Sequence, residues 1–296
     1  MHDDRPSQTA AWVAAWRGLA PWLPEGGQLA SDPFGLAFTP AMGRPLIDLA
    51  ARAPSVTRRL LNGGPLARMI LWLQLRTRSL DDLMLAFVRA GGRQVVLLGA
   101  GFDCRAHRLP SLAAARVFEV DHPDTLAAKR ARLAALDAGS VDGRVTYAGA
   151  DLNRQALDAV LTAAGVDRAA RTFFIWEGVT NYLTATAVDA TLRAVAGWAP
   201  GSLLLFTYVH RGVIDGSTIF ADNVRLKRVL AGAGEPWTFG LEPREVRAFL
   251  AARGFELLED LGAEQYRARY LGAVGAHQRG YQFYRAALAR VQPICA

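Results

Sequence analysis

The chain predicts an α/β fold: a doubly wound, mostly parallel sheet with an N-terminal helical cap. Three observations predict it. Short, almost wholly apolar runs recur from residue 94 onward, and the first four end in glycine or an acid. Segments with apolar residues at i, i+3, i+4 and i+7 separate several of them. Strands that are apolar on both faces and alternate with helices require a sheet covered on both sides, the habit of parallel sheets. With 296 residues, 51% hydrophobic and 21% charged, the chain can bury such a core as one domain, 1–296.

Residues 1–90 read as mostly helical, a cap or lid, with breaks at "APWLPEGG" and "LNGGP". Residues 91–296 read as the ligand-binding core. Its strands are expected at "QVVLL" (94–98), "ARVFEVD" (115–121), "RVTYAGADL" (144–152), "RTFFIWEG" (171–178) and "SLLLFTYV" (202–209). The helices between them are "PDTLAAKRARLAAL", "NRQALDAVLTAAG" and "ATAVDATLRAVAGWA". A further helix and strand fit "LEPREVRAFLAARGFELLEDLG" (241–262), where Pro243 suits a first helical turn and Gly254 a helix stop. The tail "HQRGYQFYRAAL" fits a strand and a helix equally.

The start, "MHDDRPSQTA", lacks the basic opening and apolar core of a signal peptide. Arg17 and Pro21 interrupt "AWVAAWRGLAPWL", and no stretch approaches the ~20 apolar residues of a membrane span. Cys104 and Cys295 have no metal-ligand spacing. A cytoplasmic protein without a metal, and without a membrane partner, is expected. The net charge is +7, but only Lys129 and Lys227 are lysines and the arginines are spread along the chain. Nucleic acid is therefore not an expected partner, whereas an anionic small substrate suits the charge.

The stretch "QVVLLGAGFDCRAHRL" runs a strand into Gly99, Ala100 and Gly101. A dinucleotide site wants a third glycine, and Cys104 stands there. Asp103 would repel a diphosphate and favour a cation. S-adenosyl-L-methionine carries an ammonium and a sulfonium and no phosphate. Asp121 ends the second strand, 22 positions after Gly99, where a carboxylate can accept both ribose hydroxyls. Its neighbour His122 joins the same set. Asp151 follows the third strand and suits the adenine amino group, with Leu152 against the ring. Glu177 ends the fourth strand, within reach of the methionine end. Each acid also has a plain structural use: Asp121 and Asp151 as helix caps, and Glu177 as partner of an N-terminal arginine. Their recurrence at strand ends beside a glycine loop favours the ligand.

"VVLLGAGFDCRAHRL", "FEVDHP", "WEGVTNYL" and "GSLLLFTYV" resemble the leucine carboxyl methyltransferase family, in its bacterial class I methyltransferase branch. "QLRTRSLDDLM" (74–84) resembles the family's Arg-Thr-Arg segment, and "SDPFGLAF" (31–38) its Asp-Pro-Phe segment. The resemblance runs from about Thr9 to Tyr270. It implies a Rossmann-like fold and S-adenosyl-L-methionine as cofactor. It implies that Arg76 binds the cofactor's carboxylate and approaches the acceptor, and that Gly99 and Gly101 admit the methionine moiety. Asp121 would then hold the ribose, Asp151 and Leu152 the adenine, and Glu177 the amino group. Tyr182 would line the acceptor pocket. Cys104 replaces the family's usual threonine. The eukaryotic branch places an N-terminal lysine on the cofactor carboxylate; Arg17 is the nearest substitute here.

A carboxylate acceptor, from a small molecule or a peptide, needs no general base, because its pKa is about 4. Arg76 and Arg78 could hold one of its oxygens, although Arg78 reads better as a surface residue. A phenol or alcohol acceptor needs a base, for which His210 in "TYVHRG" is the candidate. Tyr182, Tyr208, Tyr266 and Tyr270 are candidates for the acceptor wall. Trp12, Trp16 and Trp22 read as packing of the cap. An NAD-dependent oxidoreductase is the rival of another class, opposed by Asp103 and Cys104. A nucleic-acid aminomethylase would show an Asn/Asp-Pro-Pro-Tyr-like segment where the chain has "WEGVTNYL".

Overall fold

The five apolar runs form β1 (Gln94–Leu98), β2 (Arg116–Asp121), β3 (Val145–Gly149), β4 (Thr172–Trp176) and β5 (Leu203–Val209), all parallel. With β6 (Phe255–Gly262) and β7 (Tyr284–Val291) they make a seven-stranded sheet of order β3-β2-β1-β4-β5-β7-β6. The computed structural model describes residues 7–23, 29–30, 32–61, 64–136, 143–151, 155–220, 223–232, 234–273 and 280–293. The described part of the ambiguous tail runs into a strand. β7 lies between β5 and β6, antiparallel to both.

In chain order the helices are α1 (Gln8–Gly18), α2 (Arg44–Arg52), α3 (Pro54–Leu60), α4 (Gly64–Arg89), α5 (Arg105–Arg108), α6 (Pro123–Ala135), α7 (Leu157–Ala163), α8 (Ala185–Ala196), α9 (Arg211–Asp215), α10 (Asn223–Gly232), α11 (Val246–Ala251) and α12 (Ala263–Leu271). Alternation along each strand explains the layers. Val95, Leu97, Val117, Phe173, Ile175 and Leu205 enter a core shared with α4 and α12. Their neighbours Val96, Leu98, Phe118, Val120, Phe174 and Trp176 enter the opposite core, shared with α7, α8 and α11. Gly254 ends the turn after α11 at φ +85°, as its position in the sequence suggests.

Strand order reverses between β1 and β4, so their C-terminal ends splay apart there. That is where open α/β sheets bind ligands. α4 is 26 residues long, about 39 Å at 1.5 Å per residue. It carries Arg76 and Asp81 beside this crevice. Among the described residues, no helix is long and apolar enough to cross a membrane, and no group of three His, Cys, Asp or Glu could hold a metal ion.

Candidate active site

The glycine loop leaves β1 at the switch point. Gly99 has φ +67°, and a Cβ there would sit 2.4 Å from Val179 Cγ2, so no other residue fits. The Gly99 and Ala100 amides donate to Val120 O at 2.8 and 3.0 Å, which ties the loop to β2. Gly101 N–H donates to Asp121 Oδ2 at 2.6 Å and His122 N–H to Asp121 Oδ1 at 2.7 Å. Each Asp121 oxygen thus keeps a lone pair for another donor. Burial raises the Asp121 pKa, and the two amide bonds oppose that rise.

The helix-capping uses of the acids are not what the structure shows. His122 is the N-cap of α6, accepting at Nδ1 from Asp124 N–H at 3.4 Å. Ala156 is the N-cap of α7. The Asp151 backbone instead exchanges two bonds with Gln155, at 3.0 and 2.8 Å. Leu152 lies outside the described residues.

A cavity of about 890 Å³ opens over these strand ends. It brings together Arg76, Gly99, Ala100, Gly101, Asp121, His122, Asp151, Glu177 and Tyr182, the described members of the expected set. Its size is near the top of the range of about 300–1,000 Å³ for ligand sites.

One end of the cavity is held by buried charge. Glu177 lies 2.7 Å from Arg76 Nη2 and 2.8 Å from Arg105 Nη1. The pairing with a helical arginine is therefore real, but it is incomplete. Each Glu177 oxygen keeps a lone pair beside its arginine, and among the described residues Arg76 Nε has no acceptor. Burial pushes the Glu177 carboxyl up, but Arg105 and Arg76 outweigh it and hold it well below the usual carboxylate range. Glu177 is thus ionised at any physiological pH.

Arg105 is the hub behind it, 1% exposed. Its Nε donates to Asp81 Oδ1 at 2.8 Å, and its Nη1 also bonds Asp103. Arg108 closes the set with two bonds to Asp81, at 2.7 and 2.8 Å. This corrects the expectation for Asp103, whose charge is matched by Arg105 and does not face a ligand unopposed. Lys129 and Glu119 form a second buried pair at 2.5 Å, and the Lys129 ammonium also donates to the Asp103 carbonyl.

Arg17 does reach the cavity wall. Its Nε pairs with Asp32 at 3.1 Å and its Nη2 donates to Phe102 O at 2.9 Å. The Asp of "SDPF" therefore positions an arginine. Sequence reasoning missed Asp32, Arg105 and the Lys129–Glu119 pair. The signal for Asp32 was the segment itself, whereas Arg105 gave none beyond following Asp103.

The other end is apolar and aromatic. Trp12 and Trp16 line it, stacked at 5.8 Å, so they are more than cap packing. Trp22 packs in a separate cluster with Leu19 and Leu23. Tyr182 lines this end, and so do Tyr284 and Trp72, which the sequence did not single out. The remaining tyrosines are elsewhere: Tyr208 donates to Asp260 at 2.9 Å, and Tyr266 stacks on Tyr270. Arg78 is exposed and pairs with Asp82 at 3.0 Å. His210 is the N-cap of α9, 3.4 Å from Glu242, and does not line the cavity. Burial raises the Tyr182 phenol to about 12 and the Tyr284 phenol well above its ordinary value. Arg76 acts electrostatically on both.

Comparison with known proteins agrees with this geometry. The chain is 40% identical over 245 residues to a protein of Parafrankia sp. (strain EAN1pec), covering 80% of this chain and 72% of that one. It is 39% identical over 214 residues to one of Mycolicibacterium smegmatis, covering 71% and 69%. Both are provisionally named S-adenosyl-L-methionine-dependent methyltransferases. In fold it is similar to a crystal structure of a DUF574 family protein from Streptomyces avermitilis (TM-score 0.61, 16% identity, 98% and 99% of the chains). It is also similar to one described as a methyltransferase from Thermobifida fusca (TM-score 0.58, 19% identity, 98% and 96%). The model of one family, described as leucine carboxyl methyltransferase, matches residues 10–196. The chain belongs to the leucine carboxyl methyltransferase family.

Proposed function

We propose that the protein forms a methyl ester on a carboxylate of a small molecule or peptide. It is a methyltransferase and its cofactor is S-adenosyl-L-methionine, as family membership and the relatives' names agree. The donor set fits that cofactor. Glu177 is buried and ionised, and each of its oxygens keeps a lone pair beside its arginine, which suits an ammonium. Arg76 Nε lacks an acceptor and Arg17 lies in the same wall, which suits a carboxylate. Asp121 keeps two lone pairs for a diol, with His122 beside it, and Asp151 stands at the adenine end, where Leu152 would join it. When bound, the cofactor supplies a methyl group already activated on a sulfonium.

This chain's residues then have to align the acceptor and exclude water. The helical segment through residue 90 closes the crevice as a lid over the core, 91–296. One observation carries the carboxylate acceptor. Arg76 and two phenols that burial keeps protonated, Tyr182 and Tyr284, share the acceptor end of the cavity. They can hold an anion by charge and by donation, and an acid ionised at neutral pH needs no proton removed. Among the described lining residues the one histidine, His122, belongs to the ribose end.

The test is incubation with methyl-labelled cofactor and a panel of acids and phenols. The expected product loses its label in mild base, as an ester does. A base-stable ether overturns the proposal. A phenol or alcohol acceptor is the second reading, because Glu235 lines the cavity and acts electrostatically on Tyr182. Under it Glu235→Gln abolishes turnover; under the ester reading it does not.

A further inference from the structure

We propose that the acceptor is a hydrophobic carboxylic acid, its acid end at Tyr182 and Tyr284 and its apolar body between α1 and α10. The proposal rests on the ester-forming reading and names its substrate class. The far half of the cavity is walled by Val13, Trp16, Met69, Leu73, Leu226 and Leu230, drawn from α1, α4 and α10. Two apolar side chains continue that wall into solvent: Met42, 79% exposed, and Val229, 60% exposed. An entrance rimmed by exposed apolar groups suits an apolar molecule passing through. Methionines at positions 42 and 69 can adjust to bodies of different shape.

A polar acceptor fits these walls poorly. The ammonium of an amino acid, or the amides of a peptide end, would lose water against them without new partners. A second carboxylate would likewise lose its water against these apolar walls without new partners. Monoacids are therefore expected over diacids.

The experiment has two parts. Protein loaded with S-adenosylhomocysteine is titrated calorimetrically with straight-chain acids from butyrate to palmitate, with glutamate and adipate as polar controls. The same acids are then assayed with methyl-labelled cofactor. The expected result is a dissociation constant and a KM that each fall by about fourfold per added methylene until the chamber is full. Met42→Gln and Val229→Gln, both at exposed positions, are expected to flatten that slope while S-adenosylhomocysteine binds within twofold of the parent. A flat series, or preference for glutamate or adipate, overturns the proposal alone. Methylation of alkylphenols with no acid methylated overturns the ester reading and the proposal with it.

Discussion

The two halves of the cavity are built on different principles. The cofactor half is made of buried charges that hold one another: Arg105 joins Asp81, Asp103 and Glu177, and Asp121 ties the glycine loop to β2. The acceptor half is made mostly of apolar side chains from α1, α4 and α10, with Tyr182, Tyr284 and Glu235 among them. A charged network of this kind cannot change one member without stranding another. An apolar wall tolerates exchange of size and shape at modest cost. One half is therefore specified tightly, and the other is free to differ.

The largest expected effect attacks the network. Arg105→Met strands Asp103 and takes one of two partners from Asp81 and Glu177, and breaking a buried pair costs about 3–5 kcal/mol. Denaturant unfolding measures it, and a loss under 1 kcal/mol would mean that the hub is not structural. Next, Glu177→Gln is expected to weaken S-adenosylhomocysteine binding by about ten- to a hundredfold, the scale of a hydrogen bond to a charged group. Calorimetry that shows unchanged affinity would move the ammonium site elsewhere.

The third effect is on pH. Burial, opposed by Lys129, raises the Glu119 carboxyl from 4.5 to about 7. Between those values the folded protein keeps a proton that the unfolded chain has released. Stability should fall as pH rises through that window, by up to about 1.4 kcal/mol per pH unit, and then level off. Glu119→Gln should reduce the slope in urea unfolding from pH 4.5 to 8. The smallest effect belongs to the acceptor half. Tyr182→Phe should lower kcat/KM by about two- to tenfold, one neutral hydrogen bond, with cofactor affinity unmoved. A drop in cofactor affinity instead would erase the boundary between the halves.

That boundary also divides what the sequence discloses. The strands and the cofactor acids could be read because nearly continuous apolar runs end in Gly99, Asp121, Asp151 and Glu177, each adjacent in sequence to the element that places it. The tail could not be assigned, because "YQFYRAAL" satisfies either period; its insertion between β5 and β6 is decided by tertiary pairing. The acceptor wall was largely hidden. Val13, Met69, Leu226 and Tyr284 are ordinary core residues until four distant segments converge. Partnerships were hidden likewise: Arg17 finds Asp32, and Lys129 finds Glu119, only after the chain has folded. The histidine that drew attention, His210, caps a helix.

The placement of β7 has a practical consequence. The family match ends at residue 196, just ahead of β5, whereas α10 and Tyr284 come later. Because β7 is clasped between β5 and β6, these three strands form a hydrogen-bonded block that meets the rest of the sheet along one seam, against β4. A transplant cut at that seam would carry the acceptor walls of α10 and Tyr284 from one relative to another and leave the cofactor's charges in the host.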